Sequence, residues 1–553
     1  MKRIFQIICV VALLAACNPV DPSDPGGNKP PVPEEYTVSG TVSGSDGSPI
    51  EGVVVSDGLN CTVTGSDGKY YLNADLADTD YVFVSTPSGW AAPVQDGLAV
   101  FWKFLKDCKA ETDGKYGGVD FKLTKIQDPS RFTMLIFADP QPRSRSAGYD
   151  KMAYHSLDCC DDMYRDMKDL ISTVKGRPVY GMGLGDIVHR ELKLLPAYKN
   201  GLATTGMATY NVIGNHDHDV SLPDDRTSCK TFESHMGPCN YSFNLGGIHF
   251  LVLDDMIAPD ESTGRARDNC DTGLTDRIWQ WMQNDLAKVP RESTVMVCAH
   301  SPMFHLQGGG ERKGKLLADC RSLLSKYAKV YAWAGHTHTT CNYVDTSNPV
   351  IETHTLTRVT GALWTNEFLG ANGTPRGYVV LDCDGGEVSW YFKPVFWQTG
   401  KYDSSHGGSG KKPDYRWRDW DYDASGRAIL KSNGKPLDEK YQMQLYAPGV
   451  YGDKYLYANV FMWDELWKAP VFTSNGVPAA MKRVTTKDYR YSYSDWDITL
   501  FYKNNNSYLA NEFNPDLNNC DSMFRVYVDS EHGSGTVSVT DRFGNTYSST
   551  ITW

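Results

Sequence analysis

Gly214-Asn215-His216-Asp217-His218-Asp219 follows the apolar run ATYNVI and precedes the polar loop VSLPDDRTS. An amide, two imidazoles and two carboxylates directly after a strand-like run are poor material for a core. They need something to hold, and matching donors stand at the ends of other strand-like runs. Five further runs end in polar residues: RFTMLIFAD, VYGMGLGD, IHFLVLDD, STVMVCAH and KVYAWAGH. Between them DDMYRDMKDLISTV and TDRIWQWMQNDLAKV repeat their apolar residues with helical spacing. Strands alternating with helices, the strands apolar throughout, predict an α/β domain over residues 131–393. In such domains ligands collect where strands end and loops begin.

The polar endings are Asp139 in ADPQ, Asp186 in GDIVH, Asn215-His216-Asp217 in GNHD, His300 in AHSP, and His336 with His338 in GHTH. Singly, each reads as an ordinary loop residue. Together they form a mixed oxygen and nitrogen donor set suited to divalent Mn, Fe or Zn. The order D-P-Q, G-D, G-N-H-D, H-S-P, G-H-T-H resembles the calcineurin-like metallophosphoesterase superfamily. The resemblance implies a four-layer sandwich, two sheets flanked by helices, with two divalent metal ions at its edge. It implies that Asp186 bridges the ions, that Asn215, His300 and His336 complete one site, and that Asp139 and His338 belong to the other. His216 is then the catalytic residue facing substrate, with Asp217 orienting it. The implied reaction is in-line attack on phosphorus by a hydroxide that the ions generate, with His216 protonating the leaving oxygen as general acid or stabilising its charge. One departure stands out. The superfamily's first motif is usually D-x-H, and here the third position is Gln141, a neutral and weaker ligand that softens the first site. DPQ also occurs in a recognisable subgroup, and His189 or His155 is the alternative donor if Gln141 is not a ligand.

The flanks differ in texture. Residues 36–125 carry short alternating runs separated by SDGSP and SDGK turns, which predicts a small antiparallel sandwich. Its pattern resembles the transthyretin-like or carboxypeptidase-regulatory β-domains, and no catalytic cluster falls within it. Residues 394–553 are dense in Trp and Tyr with Gly, Asn and Asp turns, and GTVSVTDRFGNTYSSTITW reads as a terminal hairpin, so a β-rich third domain is expected. Its Trp417, Trp420, Trp463, Trp467 and Trp496 are either sandwich core or a sugar-binding platform. MKRIFQIICVVALLAAC reads as a basic n-region, a short apolar stretch and Leu14-Ala15-Ala16-Cys17, which resembles a bacterial lipobox with Cys17 lipidated. Residues 1–17 are then a lipoprotein signal peptide and residues 18–35, rich in Pro and Asp, a disordered tether. The lipid places the chain at the bacterial cell envelope, on its periplasmic or cell-surface face. Of the 14 Cys, Cys9 and Cys17 fall in this leader; Cys229 and Cys239 bracket one loop and are a candidate disulfide, while CxxC metal pairs are absent.

With a net charge of −12 the surface disfavours non-specific nucleic-acid binding and does not draw in an anionic substrate, so any anion site must carry its own positive charge. Candidates for a substrate rim are Arg143, His189, Arg190, His305, His354 and Arg358, with Trp364 at the border of the cleft. The leading expectation is a lipid-anchored, metal-dependent phosphoesterase acting on a phosphomonoester of a sugar, glycan or other small molecule. The alternatives are a phosphodiesterase acting on nucleotide or lipid headgroups, and a lipid-anchored glycan-binding protein with a degenerate phosphoesterase core.

Overall fold

The computed structural model describes residues 35–111, 113–147, 155–306, 310–361, 370, 372–397, 419–422, 428–432, 435–436, 441–449, 453–484 and 521–553, of which 310 and 419–436 are described in backbone only. The lipobox, most of the tether, and Trp364, Trp417 and Trp496 lie outside these residues, as does the side chain of Trp420.

All six apolar runs form strands, and they divide between two sheets. Arg131–Phe137, Val179–Leu184 and Ala208–Val212 pair in parallel at the centre of a seven-stranded sheet, bordered by the antiparallel strands Gly377–Asp384 and Glu387–Pro394. Ile248–Leu253, Thr294–Ala299 and Lys329–Ala334 pair in parallel within a six-stranded sheet. Within each parallel set all three strands finish at the same edge. Aromatic side chains fill the space between the sheets: the rings of Tyr210 and Phe243 stack at 3.8 Å, and Phe132 meets Phe250 edge-on at 6.1 Å.

Helices close the outer faces. Ser156–Thr173 begins where His155 Nδ1 accepts from the Leu157 amide, and it turns Cys160, Met163, Met167 and Leu170 inward against Leu135 and Phe137. Asp276–Leu286 is capped by Thr275 Oγ1 and buries Ile278, Trp281, Met282 and Leu286 at helical spacing. Trp281 is fully buried and packs against Phe83 of the N-terminal region, so truncating it to Ala costs about 3–5 kcal/mol.

The N-terminal region folds as two four-stranded sheets. The expectation of an all-antiparallel sandwich fails at one place: Val38–Gly44 pairs in parallel with Phe121–Lys125. Residues Val94–Ala99 leave these sheets as a short ribbon that pairs with Ala208–Val212 and extends the central seven-stranded sheet. The C-terminal region is also β-rich, and the expected hairpin is present as Ser534–Thr540 paired with Thr546–Thr552. Trp467 is buried there, and Trp463 packs between Phe524 and the Arg483 guanidinium. Among the described residues no helix is long and apolar enough to cross a membrane.

Candidate metal centre

The strand ends meet at one edge, and their backbones are held in unusual shapes. Asp139, Gln141, Asp186, His336 and His338 all have positive φ, between 39° and 65°. Such conformations cost a non-glycine residue about 1–3 kcal/mol each and persist only where the surroundings impose them. Here they do. The buried Arg358 guanidinium donates to the carbonyls of Asp139, Pro140 and Gly361, and Thr360 Oγ1 donates to Pro140 O. Asp255 accepts from the amides of His300 and Ser301. Two motif glycines are required by close approach: a Cβ at Gly214 would lie 2.3 Å from Asp186 Oδ1, and one at Gly335 would lie 2.3 Å from Asp139 Oδ2.

The donors converge on Asp186. His300 Nδ1 donates to Leu184 O at 2.8 Å, which turns Nε2 toward Asp186 Oδ1 (3.3 Å), Asn215 Oδ1 (3.2 Å) and His336 Nδ1 (3.2 Å). On the opposite side Gln141 Nε2 donates to Asp186 Oδ2 at 2.6 Å, and His338 Nε2 lies 3.4 Å from Asp139 Oδ1. Burial works against charge on both His300 and Asp186, but their mutual attraction overrides it. Asp186 is held well below the usual carboxylate range, and His300 is pushed up to about 10. His336 goes the other way, down to about 3, through burial and the neighbouring His300.

This arrangement fits divalent ions better than protons. A single His300 Nε2 proton faces three acceptors, none closer than 3.2 Å. Gln141 Oε1 is fully buried and has no hydrogen-bond partner among the described residues. Asp139, Asp186 and His300 bring ligand atoms within 4.8 Å of one another. The set Asp139, Gln141, Asp186, Asn215, His300, His336 and His338 can therefore hold metal.

His216 stands beside this set, with Nε2 4.0 Å from Asp186 Oδ2 and its ring stacked on His189 at 4.3 Å. Its expected partner is not the observed one. Both Asp217 oxygens accept backbone amides, from Ile187, Val188 and Gly214, so Asp217 shapes the turn carrying Asp186 and does not orient the His216 ring. Arg190 Nε donates to His216 Nδ1 at 3.0 Å, and Asp268 Oδ2 holds Arg190 at 2.5 Å. Burial, against the pull of Asp186, and then the Arg190 charge keep the His216 pKa below its ordinary value. Burial, His216 and Arg190 bring His189 down to about 3.

Two rim assignments are overturned. Arg358 is buried and clamps the DPQ backbone, as described above. His354 is also fully buried, stacked on Trp333 with Nδ1 2.9 Å from Asn342 Oδ1 and Nε2 3.4 Å from Glu352. Glu352 in turn pairs with Lys329 and with Arg542 from the C-terminal region, so His354 belongs to an internal ionic network and not to a cleft. His305 stacks on Tyr343 at 3.7 Å, and burial lowers its pKa. The Arg143 amide donates to Ser156 Oγ, tying it to the start of the helix there. His155 caps that same helix.

Comparison with known proteins matches this architecture to a family. Residues 36–126 match the N terminal of calcineurin-like phosphoesterase, and residues 354–547 match its C terminal, on either side of the strands that carry most of the donors. The chain belongs to the calcineurin-like phosphoesterase family. Among curated proteins it is 29% identical over 141 residues to purple acid phosphatase 15 of Arabidopsis thaliana, 23% of each chain, and 30% identical over 101 residues to purple acid phosphatase 22 of the same plant, 18% of this chain and 20% of that one. The chain thus spans under a quarter of the length of these relatives. Among solved structures a purple acid phosphatase from yellow lupin seeds is 13% identical with a TM-score of 0.32, covering 64% of this chain and 68% of that one. A 5'-nucleotidase from Candida albicans is 11% identical with a TM-score of 0.30, covering 48% and 52%.

Proposed function

We propose that this chain is a metal-dependent phosphoesterase that hydrolyses phosphate esters, monoesters in preference to diesters. The observation that supports it is the convergence of Asp139, Asp186, Asn215, His300, His336 and His338 on one sheet edge. The two Asp186 oxygens face opposite donor groups, Oδ1 toward His300 and Oδ2 toward Gln141, which suits a carboxylate shared by two ions. Asn215, His300 and His336 would hold one ion, and Asp139, Gln141 and His338 the other, drawn from Mn, Fe or Zn. Divalent ions held there supply Lewis acidity toward phosphoryl oxygens and activate water.

The chain's own residues set up the rest. The Arg190 Nε–H is always a donor, so His216 Nδ1 accepts and the neutral ring keeps its proton on Nε2, the nitrogen facing Asp186. Of the two roles expected for His216, stabilising charge on the leaving oxygen by a hydrogen bond is the one this arrangement supports; proton transfer from an imidazolium is not. Arg190 is matched by Asp268 and Arg358 by backbone carbonyls, so positive charge for substrate comes mainly from the ions. A terminal phosphate, carrying more negative charge than a diester, gains most from such a centre. The leader sequence supports attachment to the bacterial envelope through lipidated Cys17, and a phosphorylated sugar, glycan or small molecule is the proposed substrate.

The test uses metal-stripped protein repleted with each ion and offered nitrophenyl phosphate and bis-nitrophenyl phosphate. Metal-dependent turnover with the monoester ahead is expected. Diester turnover ahead of monoester overturns the preference, and no turnover with any ion overturns the enzyme.

A further inference from the structure

Two residues beyond His216, the same loop sends His218 in the opposite direction, into a closed cluster. His218, Cys229 and Asp254 are all buried, with ligand atoms within 4.8 Å of one another. His218 Nε2 lies 3.5 Å from Asp254 Oδ1, and Cys229 Sγ lies 3.4 Å from Asp254 Oδ2. The Cys239 thiol touches the Cys229 thiol, and no disulfide joins them in this structure. The expected Cys229–Cys239 disulfide is therefore not the form seen here.

We propose that His218 Nε2, Cys229 Sγ and the Asp254 carboxylate form a structural site for one zinc-like divalent cation, separate from the proposed catalytic centre. Three observations carry it. First, the two distances to Asp254, 3.5 and 3.4 Å, are those of ligand edges: bonds of about 2.0–2.3 Å to a tetrahedral ion set neighbouring donors about 3.3–3.8 Å apart. Second, the imidazole is fixed in the ligating tautomer. Ser228 Oγ donates its single proton to Asp225 O, so at its 2.8 Å contact with His218 Nδ1 it accepts, leaving the Nε2 lone pair aimed into the cluster. Third, that Nε2 is buried and without a hydrogen-bond partner among the described residues. A cavity of about 340 Å³, lined in part by Cys229, Cys239, Asp254, Asp225 and Asp260, adjoins the cluster and gives an ion a way in.

The location gives the site a purpose. His218 is on the loop that presents Asn215 and His216. Asp254 precedes Asp255, whose carboxylate holds the His300 and Ser301 amides. An ion here ties both loops together from behind.

The catalytic donors are all oxygen and nitrogen, so sulfur bonded to metal reports this site alone. The full chain, loaded with zinc, is examined by X-ray absorption. A metal–sulfur shell near about 2.3 Å is expected in the wild type. It should vanish in Cys229→Ser, together with one zinc per chain, and persist in His300→Ala. Cobalt titration of the wild type gives the same reading without a variant, as a sulfur-to-cobalt charge-transfer band. A zinc-loaded wild type with no sulfur shell and no such band overturns the proposal, leaving a plain His218–Asp254 ion pair. So does mass spectrometry showing a Cys229–Cys239 disulfide in isolated protein that takes up no sulfur-bound metal. Either failure leaves the catalytic reading untouched, since that rests on activity restored through oxygen and nitrogen donors.

Discussion

The two sides of the proposed metal centre share Asp186 but are built unequally. The Asn215, His300 and His336 side has two imidazoles, and His300 is locked through Nδ1 to a backbone carbonyl. The Asp139, Gln141 and His338 side has one imidazole, whose side chain is 21% exposed, and a neutral amide whose oxygen has no partner among the described residues. Backbone strain is unequal too: positive φ falls at Asp139, Gln141 and His338 on this side, at His336 alone on the other, and at the shared Asp186. The side chains offered on the two sides would therefore give an ion different grips. Strand-end geometry sets where an ion can sit; donor type sets how tightly.

The largest effect that sharpens this contrast is expected from His300→Ala, which removes a donor from the stronger side. Losing a residue that only hydrogen-bonds a metal ligand already costs about 10–100-fold, so loss of a direct ligand should reduce turnover by more than about 100-fold. Metal analysis after dialysis should show that ion gone; full occupancy with activity intact would erase the distinction between the sides.

Next comes pH. His300 must lose a proton before it can bind metal, and Asp186 raises its pKa to about 10, overriding the opposing effect of burial. Between the ordinary histidine value and 10 the proton competes with the ion. Apparent affinity on this side should thus rise with pH, by about tenfold per unit, and level off above 10. Calorimetry in buffers of different ionisation enthalpy should register about one proton released per ion bound there. A flat profile counts against the His300–Asp186 pairing.

A smaller change is expected from Gln141→His, which puts an imidazole on the weaker side. Metal retained after chelation and repletion should rise from about one to about two ions per chain, with preference moving from Mn toward Zn or Fe. Equal retention by wild type and variant would mean that Gln141 already grips as well as histidine or does not ligate. The smallest effect should come from Arg190→Gln. Without the Arg190 charge and donor, His216 gains a proton more easily, so its pKa rises and the acidic limb of the kcat profile moves up in pH. An unchanged limb together with an unchanged His216 titration by NMR would remove Arg190 from the positioning of His216.

These contrasts were readable in the sequence to different depths. The six core strands announce themselves because each is a mostly apolar run, and the proposed ligands follow five of them within one to four residues, where the backbone leaves the sheet. Side chains whose role depends on a distant partner were misplaced. Asp217 was assigned to its sequence neighbour His216, but buried amides of the Asp186 turn claim both its oxygens. His354 was assigned to the rim, and only the arrival of Arg542 beside Glu352 shows it to be internal. Asp268 as the anchor of Arg190 has no local signal at all, since 78 positions separate the pair. The His218, Cys229 and Asp254 cluster is equally silent, because its spacing matches no familiar metal motif and only folding brings it together.

The ribbon at Val94–Ala99 covers a strand edge that could otherwise pair with another chain. Gly97 O accepts the Thr209 amide at 2.9 Å, and Leu98 pairs with Thr209, so the ribbon covers the side of Ala208–Val212 that would otherwise be an open sheet edge. An uncovered strand of buried character is a template for pairing with another chain. Ala208–Val212 is also the strand that delivers Asn215 and His216. The N-terminal region thus lies as a guard rail beside the segment on which the proposed chemistry depends. Deleting residues 36–126 would leave that flank bare, an open strand to which another chain could pair.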